Sequence, residues 1–170
     1  MDHFARLGLP AALELEPAAL DRAYFARQRQ WHPDRFVAKP AEERARASAE
    51  AAALNDAYRT LKDPLSRAIY LAALKGVELP GDGKTIDDPE LLMEAMDARE
   101  ELQEATSVAE VDSLARFARE DLETGLADLA RLFLANDKAA IRKALLRLRY
   151  LDKFAEEARA RRANIERAST

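Results

Sequence analysis

The chain has two histidines, His3 and His32, and His32 stands in the run Trp31-His32-Pro33-Asp34-Arg35-Phe36. A proline at position 33 biases His32 away from helical angles, so a helix arriving from upstream ends there. Asp34 then offers its carboxylate from a loop held between two helices, next to a helix face bearing Arg22 and Arg29. That arrangement suits docking on a partner. By itself the tripeptide equally describes a proline turn with a solvated aspartate. A second constellation lies downstream, where Leu92, Met93 and Met96 fall within about 100° of one another on a helical wheel, mixed with Asp97, Glu100 and Glu104. Methionine-rich apolar patches are adaptable protein-binding surfaces; the same patch could instead widen a core. On the last helix Tyr150 stands off the apolar seam with Leu146 beside it, so a second helix is expected to extend the patch.

Other chemistry is poorly provided for. Without cysteine there is no disulfide, no thiolate-held metal or cluster and no thiol nucleophile. No glycine-rich phosphate loop or nucleophile motif occurs, and paired carboxylates such as Glu100 and Glu101 on a charged helix read as a solvated face. The expectation is therefore no enzyme, no catalytic residue, no metal and no cofactor. A net charge of -4 and a pI of about 5.4 argue against a general grip on nucleic-acid phosphates. The longest apolar runs, such as residues 69–74, are too short for a bilayer, and the first residues lack a secretory or transit pattern. Neither nucleic acid nor membrane is an expected partner, and the bacterial cytoplasm is the expected location.

The elements that must position these residues are helices. Of 170 residues 48% are hydrophobic and 34% charged, with five glycines; about a fifth are alanine, the best helix former. The fold class expected is all-α. A short segment over residues 4–9 ends at Pro10, and Pro17 at a first helical position opens a helix to residue 31. Its Leu20, Tyr24 and Trp31 share a face opposite Arg22 and Arg29, while Arg27 falls near the apolar stripe, as a snorkelling stem would. Ala47, Ala51, Leu54, Tyr58 and Leu61 mark an antiparallel partner helix over residues 41–62. Asp63-Pro64 caps a shorter helix. Residues 76–88 hold three of the five glycines and form a seam, either a flexible tether or a packed strap. Beyond it Asp88-Pro89 opens a helix over about residues 89–105 with Leu91, Ala95, Ala98 and Leu102 inward. Helices over about residues 108–135 and 137–167 complete a three-helix bundle, the last with Ala144, Leu148, Leu151, Ala155, Ala158 and Ile165 on its seam.

With Phe4-x-x-Leu7-Gly8-Leu9-Pro10 before the tripeptide and Leu54-Asn55-Asp56-Ala57-Tyr58 after it, residues 1–75 resemble a J-domain, the module with which co-chaperones engage DnaK-type chaperones. The resemblance implies that His32, Pro33 and Asp34 are the signature loop, that Asp34 pairs with an arginine of the chaperone, and that Arg22, Arg29 and Arg35 steer toward its acidic surface. This helix has fewer lysines than common J-domains, and Arg27 stands where they carry an apolar residue.

Residues 91–102 and 147–153, with the stretch Leu61-Lys62-Asp63-Pro64-Leu65-Ser66-Arg67-Ala68, resemble the HscB family. That family joins a J-domain (1–75) through a linker (76–88) to a scaffold-binding bundle (89–170), delivers an IscU-type iron–sulfur scaffold to an HscA chaperone and raises its ATPase. Leu92, Met93, Met96, Asp97, Glu100, Glu104 and Tyr150 would then hold the scaffold. Position 97 has aspartate where relatives commonly have glutamate, and the cysteine pairs of some mitochondrial relatives are missing, which favours the bacterial form. Two rival readings are a J-domain co-chaperone of a general DnaK-type chaperone with another client, and a helical adaptor with an accidental His-Pro-Asp. The first usually brings glycine/phenylalanine-rich or cysteine zinc segments, which do not occur here; the second predicts that Asp34→Asn changes no binding.

Overall fold

The computed structural model describes residues 1–81, 84 and 86–168. Of the expected linker, Asp82, Gly83 and Thr85 lie outside the described residues, as do Ser169 and Thr170 at the end of the expected bundle. Every regular element among the described residues is helical: α1 (His3–Leu7), α2 (Pro17–Trp31), a 3-10 turn (Pro33–Phe36), α3 (Ala41–Lys62), α4 (Pro64–Leu74), α5 (Pro89–Glu104), α6 (Val108–Ala135) and α7 (Lys138–Ala168). None of these helices is long and apolar enough to cross a membrane. Contacts divide the chain into two units, Met1–Leu71 and the part from Ala72 onward, with the division inside α4.

In the first unit α1 and α2 both pack on α3. Asp2 caps α1 by accepting from the Ala5 N–H at 2.9 Å, and Gly8, left-handed at φ 72°, ends it before the expected residue 9. Phe4, Leu7, Leu20, Leu54 and Leu61 are buried, with Ala47 and Ala57 fully enclosed on α3. Each such leucine or phenylalanine contributes about 1.5–3 kcal/mol by leaving water, and the two alanines let the neighbouring helices come close. Tyr24 and Tyr58 stack across α2 and α3 with ring centroids 4.2 Å apart. Tyr24 donates to Asn55 and Tyr58 to Asp21, both at 2.7 Å, so neither phenol is left unsatisfied.

In the second unit α6 and α7 form a long antiparallel hairpin, and α5 lies along α7. Asp88 caps α5 through the Leu91 N–H, and Ser107 and Glu110 form a reciprocal capping box at the start of α6. Asn136, left-handed at φ 52°, closes α6, and Asp137 starts α7 by accepting from the Ala140 N–H. The close approach of the hairpin is made at Gly125, where a Cβ would collide with Leu148. Arg147 on α7 ties all three helices, donating to Glu94 on α5 at 2.9 Å and to Asp121 on α6 at 3.0 Å. Arg161 donates to the carbonyls of Gln103 and Ala105, closing the end of α5.

The buried set of α7 is wider than the expected seam. Leu148, Leu151 and Ala158 are inward as expected, but Ile141, Leu145, Leu146 and Phe154 are buried too, while Ala144 and Ile165 are half-buried. A helix with one neighbour on each of two sides needs an apolar surface broader than one stripe.

Candidate functional site

The first candidate surface begins where α2 stops. His32 is extended, φ -60° and ψ 128°, as Pro33 requires. Beyond it the chain forms a 3-10 turn in place of the expected open loop, because the Arg35 N–H donates to the His32 carbonyl at 3.0 Å. The His32 ring caps that turn, its Nδ1 accepting from the Asp34 N–H at 3.3 Å and standing 3.5 Å from the Asp34 carboxylate. Underneath, the rings of Trp31 and Phe36 stack nearly parallel, 6.0 Å apart, and Arg46 of α3 lies over Trp31. These two aromatics, which sequence reasoning leaves out of the site, clamp the two ends of the turn. The signal available in the sequence is an aromatic on each side of the tripeptide. The Asp34 side chain, 86% exposed, therefore projects into water from a fixed base.

The arginines divide into different roles. Arg29 is exposed near the end of α2, and Arg22 is exposed with a weak contact to Glu16 at 3.6 Å. Arg35 donates to the Arg29 carbonyl at 3.0 Å, so it fastens the turn to the open end of α2. Arg27, the residue near the apolar stripe, lies with its guanidinium against Gly8.

The second candidate surface is on α5. Its inward residues Leu91, Ala95 and Leu102 are buried, with Ala98 half-buried. Met93 and Met96 remain 66% and 60% exposed, and Leu92 is half-buried beside them. Asp97, Glu100 and Glu104 are exposed on the same helix. Leu92, Met96 and Tyr150 line one cleft of about 510 Å³ between α5 and α7. Burial pushes the Tyr150 phenol up, and the neighbouring Glu94 carboxylate adds to the shift. The apolar side chains form one corner of the cleft around this tyrosine, and charged ones, among them Arg99, Lys153 and Glu157, line the rest of it.

One expectation is corrected here. Leu146 does not extend the exposed patch beside Tyr150; it is 1% exposed and forms part of the cleft's floor. It faces inward because α5 and the segment before it cover that side of α7. Met93 is not among the residues lining this cleft and stands on the open face of α5.

Known proteins resemble the chain in both of its parts. Residues 87–159 match the family described as the HSCB C-terminal oligomerisation domain. Over 171 residues the chain is 39% identical to the co-chaperone protein HscB homolog of Burkholderia multivorans, covering 99% of this chain and 96% of that one. Among solved structures, chaperone HscB from Vibrio cholerae superposes with a TM-score of 0.84 at 32% identity, covering 97% of this chain and 99% of the other. Human co-chaperone protein HscB does so with a TM-score of 0.85 at 28% identity, over 94% and 81%. With an N-terminal J-domain and a C-terminal helical bundle, and relatives of this similarity over nearly its whole length, the chain belongs to the HscB family of co-chaperones.

Proposed function

We propose that this protein serves iron–sulfur cluster assembly by binding an IscU-type scaffold and delivering it to an HscA/DnaK-type chaperone, whose ATPase it stimulates. It does so without catalytic residues or a cofactor of its own, in the bacterial cytoplasm. The His32-Pro33-Asp34 turn docks on the chaperone, Asp34 pairing with an arginine there, and Arg22 and Arg29 steer the approach. Arg35 contributes by holding the turn. Leu92, Met93, Met96 and Tyr150 receive apolar side chains of the scaffold, and Asp97, Glu100 and Glu104 meet its basic residues.

The observation that carries this reading is the uncovered pair Met93 and Met96 on a helix whose other face is buried. A bundle needs only the inward face for stability, so a second apolar face in water costs solubility and calls for a partner. Linking the two surfaces in one chain raises the local concentration of scaffold at the chaperone without any new contact. Removing the Asp34 charge forfeits about 1.5–3 kcal/mol of charge-assisted hydrogen bonding.

The test compares two variants in a chaperone ATPase assay with and without purified scaffold. Asp34→Asn should lose stimulation and keep scaffold binding. Leu92→Ala with Met93→Ala should weaken scaffold binding and keep the stimulation seen without scaffold. Loss of both activities in both variants would refute the division of labour.

A further inference from the structure

The cleft has a wall that neither α5 nor α7 supplies. Ile86, half-buried in the segment that precedes α5, lines it together with Leu92, Met96 and Tyr150. That segment is fastened to α7 at points on both sides of Ile86. Arg142 reaches Asp87 with two hydrogen bonds, 2.6 and 3.1 Å, and the Glu78 carbonyl with a third at 3.1 Å. Two turns further along α7, Arg149 donates to the Pro80 carbonyl at 2.6 Å. Hydrogen bonding to Arg142 also holds the Asp87 carboxyl below its usual range.

We propose that Ile86 belongs to the client-binding surface: it is the third wall of the α5/α7 cleft, and Arg142 is the residue that positions it. The inference rests on the reading of this cleft as the scaffold site and names a further part of it. Two helices alone leave a trough from which water reaches an inserted side chain along one whole flank. With Ile86 in place, an apolar side chain of the scaffold sits between Leu92 and Met96 on one side and Tyr150 on the other, with an isoleucine at its back. Ile86 and Leu92 are already half-buried, so this apolar corner gives an inserted side chain more apolar contact than the charged remainder of the cleft does. A wall already pinned by guanidinium bonds needs little ordering when the partner arrives.

The experiment is calorimetric titration of the full chain with a purified IscU-type scaffold, with circular dichroism as the control for folding. Ile86→Ala should weaken binding about fivefold, the scale of losing part of one apolar contact. Ile86→Leu should bind close to the native chain. Arg142→Ala should weaken binding in the same direction, and the double variant Ile86→Ala/Arg142→Ala should be no weaker than Ile86→Ala alone, since both act through one wall. Native or tighter binding by Ile86→Ala overturns the proposal; tighter binding would make Ile86 an obstruction. Comparison with Leu92→Ala/Met96→Ala, two residues that line the cleft, separates the two levels. If that double variant loses binding while Ile86→Ala does not, only the third wall fails; if it also binds normally, the cleft itself is not the scaffold site and both readings fall.

Discussion

At Gly8 the backbone is left-handed, and the nearest atom to a Cβ built there is the Arg27 guanidinium, at 3.3 Å. An L-residue in this conformation costs about 1–2 kcal/mol. Gly8→Ala should therefore lower stability by about that amount in urea denaturation, with little change at the signature turn. The same contact explains why Arg27 is hard to place from sequence. Its position on the wheel puts it at the edge of the apolar stripe, and helical periodicity contains no information about a glycine cap in the preceding segment. His32 and Asp34 are legible because proline restricts its predecessor wherever it occurs. The stacked Trp31 and Phe36 beneath them are not, because a ring pair closes only once the turn has formed.

For the elements, the helix starts are the most readable features. Pro17, Pro64 and Pro89 each stand at a first helical position, and Asp63 and Asp88 cap the latter two by accepting the N–H of Ser66 and Leu91. Less legible is the breadth of α7's buried face. A wheel finds one stripe, but this helix packs on α6 along one side and α5 along another, which is why periodicity alone puts Leu146 on the wrong surface. The capping box of α6 yields a pH dependence. Backbone N–H groups of Thr106 and Ser107 hold the Glu110 carboxyl below its usual value. A group depressed in the folded state contributes stability that is complete above its unfolded pKa, about 4.3. That stability disappears as pH falls through the lower folded pKa. Protection factors of the amides at the first turn of α6, corrected for intrinsic exchange, should therefore fall below about pH 4, and Glu110→Gln should make that fall largely disappear.

Across the whole molecule charge is unevenly spread: residues 1–75 carry 12 basic and 10 acidic side chains, the remainder 15 and 21. The two surfaces accordingly differ in what salt should do to them. Exposed charges are screened beyond about 8 Å at physiological ionic strength. Chaperone association through Arg22 and Arg29 should thus slow as salt rises from low to physiological strength, measured as an association rate; a rate that ignores salt would remove steering from the mechanism. Scaffold capture should keep the part that Leu92, Met93 and Met96 supply at high salt and lose the part that Asp97, Glu100 and Glu104 supply. The two surfaces lie on different compact units, which divide after Leu71 inside α4, ahead of the composition shift at residues 76–88. The arginine contacts that fasten part of this segment to α7 are not legible in the sequence, because they join backbone carbonyls to side chains more than fifty positions away.

The two thioethers on α5 also expose the chain to peroxide. Sulfoxide formation turns an oily methionine side chain into a polar one, and with no thiol in the sequence to react first, exposed Met93 and Met96, like Met1, would be oxidised, the first two within the surface proposed above for the client. Mild hydrogen peroxide should abolish scaffold capture while the helical signal persists, and methionine sulfoxide reductases should bring it back. Leucine at both positions should render scaffold capture indifferent to the oxidant. Iron–sulfur delivery would then pause under oxidative stress and resume on repair, with no signalling protein required.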